Sequence, residues 1–190
     1  KDMLKSLKTK EKNLMAKQKE QQKKVDALNK QIEEMIAKQV RTTTTLTKEQ
    51  QLIAGGFEAN QGRLPWPVEK GYISGYFGKH QHPIHEHVTI DNKGIYLQTV
   101  SGADARAIYE GEVTWCAPMN GNYAVIVQHG NYRSVYSPLK KIYVKQGDKL
   151  TAKQAIGEIY TNTSEDNKTE LYFQIYKDRS ILNPGLWLAQ

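Results

Sequence analysis

The segment ELYFQIYK, residues 170–177, sets apolar Leu171, Phe173 and Ile175 between more polar neighbours. This period-two alternation is typical of a β-strand with one buried face. Six further runs of the same kind follow one another from Arg63, with turn residues between them. They read GYISGYF, GIYLQTV, ARAIYEGEVTW, YAVIVQHG, RSVYSPL and AIGEIYT. The pattern predicts an antiparallel β domain over residues 63–190.

Residues 1–41 predict one long helix, because they contain no Gly or Pro and are rich in Lys, Gln, Glu, Leu and Met. One heptad phase runs through them, and seven of its 11 core positions are apolar, which favours a coiled coil. The a positions are Leu4, Glu11, Gln18, Val25, Ile32 and Gln39, and the d positions are Leu7, Leu14, Gln21, Leu28 and Met35. We therefore expect an α+β chain whose coiled-coil helix precedes the β domain.

The linker over residues 42–62 is expected to hold a short second helix over residues 47–54. Thr47 is a suitable N-cap with Gln50 three residues later, and the Gly55–Gly56 pair is expected to end the helix. About two helical turns are not stable alone, so the helix must dock on the rest of the chain. The side chains expected to dock it are Leu52, Ile53 and Phe57.

The distribution of charge and the cysteine content limit the functions that the chain can have. Six units of the net charge of +7 lie in residues 1–41, which hold 11 Lys, one Arg and six acidic residues. The β domain is therefore almost neutral, which argues against a nucleic-acid-binding face. Cys116 is the single cysteine, so no intramolecular disulfide can form, and it is interpreted as a small buried side chain.

The order of motifs over residues 63–190 resembles that of the LytM-type (M23) peptidases. These motifs are RLPWPV, FGKH, GIYL, ARAIYEGEVT, NYAVIVQHG, VYSPL, VKQGDKL, AIGEIYT, ELYFQI and NPGLWL. The preceding coiled coil, the helix ending in Gly-Gly and LPWPV extend the resemblance to the EnvC-like murein hydrolase activators. The resemblance implies a β domain with a groove that holds zinc in the active members.

The resemblance also implies where a zinc site would lie, and this chain departs from it at all five positions. Active members carry two ligands in an H-x-G-I-D pattern, where this chain has Asn92 and Tyr96. Pro138 replaces the histidine of a Y-x-H-L segment, and Glu170 and Tyr172 replace the two histidines of H-L-H. Asn, Tyr and Pro are poor substitutes for the ligands of a catalytic zinc. We therefore expect no enzymatic activity, no metal and no cofactor.

Two histidine patterns compete with this interpretation. HVTID offers His87 and Asp91 with the ligand spacing, but that register would need a five-residue insertion before Ala105 and would abandon the match of GIYL. The stretch HQHPIHEH is interpreted as an exposed polar loop with incidental metal affinity, and its histidines are His80, His82, His85 and His87. His129, at a strand end before a turn, is expected to be structural.

A groove without ligands can still bind a partner, and tyrosine is a frequent anchor of interfaces. The expected groove residues are Asn92, Lys93, Tyr96, Tyr123, Pro138, Glu170, Tyr172 and Tyr176. The resemblance implies that the groove binds an N-acetylmuramoyl-L-alanine amidase and activates it for septal peptidoglycan cleavage. It also implies a link through the coiled coil to a membrane complex resembling FtsE and FtsX.

The short helix over residues 47–54 is hypothesised to block the groove, and the alternative is a permanent strut on the back of the β domain. The resemblance implies a periplasmic location, with a signal peptide lost from this fragment. Two alternative functions stay open at this point. One is an active zinc endopeptidase that uses His87 and Asp91, and the other is a passive peptidoglycan-binding scaffold.

Overall fold

The computed structural model of the chain describes residues 2–42, 45–81 and 89–190, which form two helices and a mostly antiparallel sheet. Helix α1 spans Asp2–Thr42 and helix α2 spans Lys48–Ala59. The first strands are β1 (Tyr72–Gly75), β2 (Gly78–Gln81), β3 (Thr89–Asn92), β4 (Ile95–Thr99), β5 (Asp104–Arg106), β6 (Gly111–Met119) and β7 (Asn122–His129). The remaining strands are β8 (Tyr132–Ile142), β9 (Lys149–Leu150), β10 (Ala155–Ile159), β11 (Thr161–Asn162), β12 (Lys168–Lys177) and β13 (Ser180–Leu182). The α+β class and the antiparallel β domain predicted from sequence are confirmed.

The main sheet runs in the order β1-β4-β12-β8-β7-β6-β9, so strand β12, late in the chain, lies between β4 and β8. Strands β2 and β3 form a separate hairpin. A short 3₁₀ helix, Pro184–Leu186, follows β13. The chain from Leu64 meets this tail through a parallel bridge between Leu64 and Leu188. Both ends of the β domain are thereby tied together beside the sheet.

The two faces of the main sheet are buried against different partners. On one face, Leu171, Phe173 and Ile175 of β12 join the main core, which also contains Ile95, Val125 and Tyr136 among others. On the other face, a second apolar cluster joins the sheet to helix α1. Its buried members are Ile32 and Ile36 of the helix with Ala124, Ile126, Val135 and Tyr176 of the sheet. Period-two alternation in the strands thus divides the side chains between the core and the helix.

Helix α1 lies along β12 and in the same direction. Gln21 contacts Glu165 just before the strand begins. Asn29 contacts Tyr172 and Gln174. Gln39 contacts Arg133, which lies opposite Tyr176. Only the C-terminal half of the helix therefore covers the sheet.

The predicted coiled-coil seam is divided between two environments. Leu28, Ile32, Met35 and Gln39 pack on or hydrogen-bond to the sheet rather than a second helix. Leu4, Leu7 and Leu14 are exposed by 53% or more. A heptad pattern reports one apolar face of a helix, and that face can pack on a sheet as well as on another helix. The single helix is confirmed within one residue of its predicted end, whereas coiled-coil pairing stays a prediction.

The predicted end of the second helix is wrong. The Thr47 cap and its reciprocal bond with Gln50 are present, but the helix continues through Gly55 and Gly56 to Ala59. Gly56 lies against the tip of the half-buried Tyr109 side chain, so it is inside the contact between the helix and the domain and does not terminate the helix.

Helix α2 packs on the main core through Phe57, which is fully buried. The Phe57 ring stacks on Tyr132 at 4.7 Å and on His129 at 4.9 Å, and it lies 5.3 Å from Trp187. Ile53 is half-buried and Leu52 is 78% exposed. Of the three predicted docking side chains, Phe57 alone is a full anchor. It contacts the core side of the sheet and not the face beneath α1.

Cys116 is half-buried on β6 and packs against the main core rather than being fully enclosed. Within residues 2–42, 45–81 and 89–190, no helix is both long and apolar enough to cross a lipid bilayer.

Candidate functional site

The surface of interest is the face of β12 that carries Glu170, Tyr172, Gln174 and Tyr176, which we call the β12 face. Their alternation with Leu171, Phe173 and Ile175 sets all four on the side opposite the main core. Tyr172 pairs in register with Tyr96 of β4 on one side and with Ser137 of β8 on the other. The rings of Tyr96 and Tyr172 stack with centroids 4.7 Å apart.

Asn29 of helix α1 provides the central polar contact with the β12 face. Its side-chain carbonyl accepts hydrogen bonds from the Tyr172 hydroxyl and from Gln174 Nε2, both at 3.1 Å. All three side chains are buried. Burying an amide without hydrogen bonds is unfavourable, and these two bonds satisfy the side-chain carbonyl of Asn29. The contact therefore sets the position of the helix along the strand.

Gln39, ten residues after Asn29 on the same helix, makes a second polar contact with the sheet. Its side-chain carbonyl accepts from Arg133 Nε at 2.8 Å and from Thr114 Oγ1 at 3.2 Å. Arg133 is 2% exposed, and burial lowers its pKa while nearby Asp178 opposes this shift. Between these two polar contacts lie the apolar contacts of Ile32 and Ile36. Helix α1 is thus held by polar bonds at both ends of an apolar patch.

The tyrosines of the β12 face are neutral phenols at physiological pH. Burial raises the pKa of Tyr172 to about 12, against the hydrogen bond with Asn29. Burial, followed by Tyr172, Glu170 and Asp26, raises the pKa of Tyr96 well above its ordinary value. Burial and Glu33 likewise raise the pKa of Tyr176. The face therefore offers aromatic rings and hydroxyl groups, and no phenolate.

The predicted groove residues on β3 and its following turn lie close to this face, but their polar groups are engaged. The Asn92 amide is buried and donates to the Tyr76 carbonyl at 2.9 Å. Lys93 pairs with Asp91 at 3.8 Å. On β12, Glu170 accepts from Ser74 Oγ at 2.6 Å and pairs with Lys168 at 3.7 Å.

These residues do not fit a zinc ion. At the positions of the family pattern, the buried Asn92 presents an N–H donor to a carbonyl, and Tyr96 and Tyr172 are held as neutral phenols. A catalytic zinc is bound by neutral histidine, by cysteine thiolate or by carboxylate groups. Among the described residues, no three His, Cys, Asp or Glu side chains converge as a metal site would require.

The competing histidine patterns are only partly described by the structure. Asp91 lies on β3, opposite Lys79 of the β2–β3 hairpin, and it is ion-paired with Lys93. His80 is half-buried on β2, opposite Ile90. His82, His85 and His87 fall outside the described residues, so the alternative site of His87 with Asp91 is not tested by the structure.

His129 has the structural role expected of it. Its Nδ1–H donates to the Glu110 carbonyl at 2.8 Å, and its Nε2 lies 2.8 Å from Ser134 Oγ. The ring is fully buried beneath Phe57. Burial lowers the pKa of His129 to about 4, although the bond to Glu110 opposes the shift.

Two predicted groove residues are placed differently. Tyr123 packs against the main core, because its neighbours Ala124 and Ile126 occupy the opposite face of β7. Pro138 is half-buried on β8, and the preceding Ser137 is the residue that pairs with Tyr172. Glu170, Tyr172 and Tyr176 do share one face, and Tyr96 stacks on it.

Sequence reasoning missed five side chains at this interface. They are Asn29, Gln39, Arg133, Ser137 and Gln174. Gln174 could have been found, since it shares the strand period of Tyr172 and Tyr176. Gln39 stands at an a position of the heptad seam, so its face was predicted but its partner was not. Asn29 could not have been found, because a polar residue on a Lys-rich helix looks exposed until the sheet is placed against it.

The amino-acid sequence of the chain is similar to those of known bacterial proteins. Stage II sporulation protein Q of Bacillus subtilis is 37% identical over 99 residues, which cover 49% of this chain and 35% of that protein. A protein of Haemophilus influenzae is 34% identical over 98 residues, covering 50% of this chain and 24% of its own length. The chain thus spans no more than about a third of these curated relatives.

Solved structures show the same β domain. A complex of SpoIIIAH with SpoIIQ contains a chain with TM-score 0.54 and 26% identity, over 64% of this chain and 97% of that one. Csd3 of Helicobacter pylori has TM-score 0.56 and 21% identity, over 68% of this chain and 36% of its own. Residues 90–184, half of the chain, match the sequence pattern of Peptidase family M23. The chain belongs to peptidase family M23.

Proposed function

We propose that this chain is a non-catalytic interaction protein that binds and activates a peptidoglycan N-acetylmuramoyl-L-alanine amidase through the β12 face. The observation that carries the proposal is the stacking of Tyr96 on Tyr172, two residues that the family resemblance assigns to metal-ligand positions, together with the hydrogen bond that Tyr172 donates to Asn29 of helix α1. A surface of rigid aromatic rings and hydroxyls suits protein recognition better than hydrolysis. The amidase, and not this chain, would cut septal peptidoglycan.

The relatives support a binding role for a domain of this family. SpoIIQ has been solved in a complex with SpoIIIAH, so one M23-like domain assembles with a partner protein. The partner of the present chain is proposed from the resemblance of its helix–linker–β-domain order to that of murein hydrolase activators. The same resemblance supports a periplasmic location and an FtsEX-like membrane partner.

In this proposal, helix α1 rather than α2 regulates access. Residues 28–40 of α1 cover the β12 face, whereas Phe57 anchors α2 on the core side. The interface of α1 combines two hydrogen-bonded amides with an apolar cluster, so its release returns polar groups to water and exposes an apolar surface that a partner could cover. The exposed N-terminal half of α1, with Leu4, Leu7 and Leu14, is the segment on which a membrane complex could pull.

Dye release from labelled peptidoglycan tests the proposal in three mixtures: this chain, the cognate amidase, and both together. Release by the mixture well above the sum of the separate reactions is the expected result. Release by this chain alone, abolished by a chelator, would instead indicate a zinc endopeptidase that uses His87 and Asp91. Binding of the chain to isolated sacculi, without any stimulation of the amidase, would indicate a passive scaffold.

A further inference from the structure

Two polar atoms on the β12 face are left without partners when α1 covers it. Ser137 Oγ and Gln174 Oε1 are buried and have no hydrogen-bond partner among the described residues. Ser137 is 2% exposed and Gln174 is fully buried. Folded proteins leave few such atoms, because a buried acceptor that loses its water is destabilising. Two such atoms on neighbouring strands indicate that this surface has unused hydrogen-bonding capacity.

Helix α1 presents no hydrogen-bond donor to these two atoms. Asn29 turns its carbonyl towards the strand, where it accepts from Tyr172 and from Gln174 Nε2. The next side chains on that face of the helix, Ile32 and Ile36, are apolar. The helix therefore accepts hydrogen bonds from the donors of the β12 face and donates none to Ser137 Oγ or Gln174 Oε1.

The positions of the two acceptors define what would complement them. Ser137 pairs with Tyr172, and Gln174 lies two residues beyond Tyr172 on β12. Such diagonal neighbours on adjacent strands have Cα atoms about 7 Å apart. An arginine guanidinium offers five N–H donors in one plane, so a single group can reach two separated acceptors. A lysine or a primary amide directs its donors from one nitrogen.

The surroundings of the two acceptors also suit a guanidinium. The stacked rings of Tyr96 and Tyr172 flank the position, and planar guanidinium groups pack favourably on aromatic faces. Glu170 supplies a carboxylate on the same strand face, only partly neutralised by Lys168 at 3.7 Å. Both features favour a cation over a neutral donor.

We propose that the partner segment that displaces α1 places an arginine side chain against Ser137 Oγ and Gln174 Oε1. This inference rests on the proposed function, since it names the chemistry by which the activated amidase recognises the β12 face. Ser137 and Gln174 then determine which partner binds. Helix α1 covers the β12 face but leaves these two atoms without hydrogen bonds. A partner segment that bonds to both of them can therefore displace the helix.

The experiment uses the full chain in an α1-released background, Ile32→Ala with Ile36→Ala, and measures its affinity for the cognate amidase. Ser137→Ala and Gln174→Met are added separately, and Tyr143→Phe, remote from this face, is the control. In the released background the loss of the bond from Gln174 to Asn29 has no effect. Each of the two variants is expected to weaken binding about tenfold or more, the size of a lost hydrogen bond to a charged donor. The control is expected to bind unchanged.

Arg→Lys replacement at each exposed arginine of the amidase identifies the donor. One replacement should weaken binding to the released background about tenfold and have no further effect once both Ser137→Ala and Gln174→Met are present. Unchanged affinity in Ser137→Ala and Gln174→Met, with normal binding by the background, would overturn the inference and leave the proposed function standing. An ordered water bonded to both atoms in the closed chain would also overturn it. Absence of any amidase binding by the background would instead refute the proposed function.

Discussion

The Tyr172 hydroxyl donates to the Asn29 side-chain carbonyl at 3.1 Å, and this bond joins the centre of the β12 face to the helix that covers it. The two residues are 143 positions apart in the chain. The family resemblance assigns Tyr172 to the position of a histidine in active members, and in our proposal this position holds a regulatory contact.

Tyr172→Phe should loosen helix α1 without unfolding the β domain. The ring and its stacking on Tyr96 remain, and the lost hydrogen bond is worth about 1 kcal/mol, or roughly fivefold in the docking equilibrium. Hydrogen exchange of the amides in residues 28–40 should accelerate by that factor. Tyr143→Phe, which removes a bond to Asp104 elsewhere on the surface, is the matched control and should leave α1 exchange unchanged. Equal exchange in wild type and Tyr172→Phe would show that the bond does not hold the helix.

Ile36→Ala should release α1 more strongly than Tyr172→Phe. Ile36 is 1% exposed between the helix and the sheet, and truncating a buried Ile to Ala costs about 2–5 kcal/mol. If α1 blocks the partner, the variant should activate the amidase in dye release more than the wild-type chain does.

Leu14→Ala is the control for this experiment, because Leu14 is 53% exposed on the same helix. Its amidase activation should match wild type. An Ile36→Ala chain whose α1 exchanges rapidly, yet activates the amidase no better, would refute a blocking role for the helix.

Phe57→Ala should destabilise the whole β domain. The ring is fully buried among Tyr132, His129 and Trp187, and removing such a side chain costs about 3–5 kcal/mol. Leu52→Ala, at an exposed position of the same helix, should change stability by less than about 0.5 kcal/mol. Urea unfolding measures both. Stronger amidase activation by Phe57→Ala at wild-type stability would restore the hypothesis that α2 is the inhibitory helix.

The stability of the β domain should fall as the pH falls from about 6.5 to about 4. The pKa of His129 is about 4 in the folded chain and 6.5 in the unfolded reference, so the unfolded chain binds more protons in this range. Protonation therefore favours unfolding, and the contribution of His129, fully present above the unfolded pKa, is lost towards the folded pKa. The total is about 3 kcal/mol at 1.36 kcal/mol per pKa unit.

The measurement is the free energy of unfolding in urea across this pH range for wild type and His129→Gln. Gln can bond to the same neighbours but does not titrate, so the difference between the two chains isolates the histidine from the carboxylates. The difference should shrink with falling pH. A constant difference between pH 4 and 6.5 would mean that His129 titrates normally.

Protein purified without a histidine tag should contain zinc well below one ion per chain. The reason is the donor set at the family's metal position, where Asn92 is bonded to Tyr76 and the phenols of Tyr96 and Tyr172 are neutral. Elemental analysis gives the ratio. One zinc per chain, lost in Asp91→Ala, would show that His87 and Asp91 form the site and that the register through GIYL is wrong.

The sequence by itself determined the local elements of this chain. Alternation of Leu171, Phe173 and Ile175 predicted β12, the absence of Gly and Pro predicted α1, and Thr47 with Gln50 predicted the start of α2. All of these depend on residues close together in the chain, whose periodicity and capping act through short-range geometry.

Only the tertiary structure decided what each element packs against. A heptad seam in α1 could not specify a sheet as its partner, because an apolar stripe is complementary to any apolar surface. The Gly55–Gly56 pair was predicted to end α2 on propensity, yet the helix continues through both residues because Phe57 packs it on the domain. Asn29 and Tyr172 meet because β12 is central in the sheet and α1 lies along it. Contacts between residues so far apart in the chain depend on the packing of the whole domain, which no local pattern specifies.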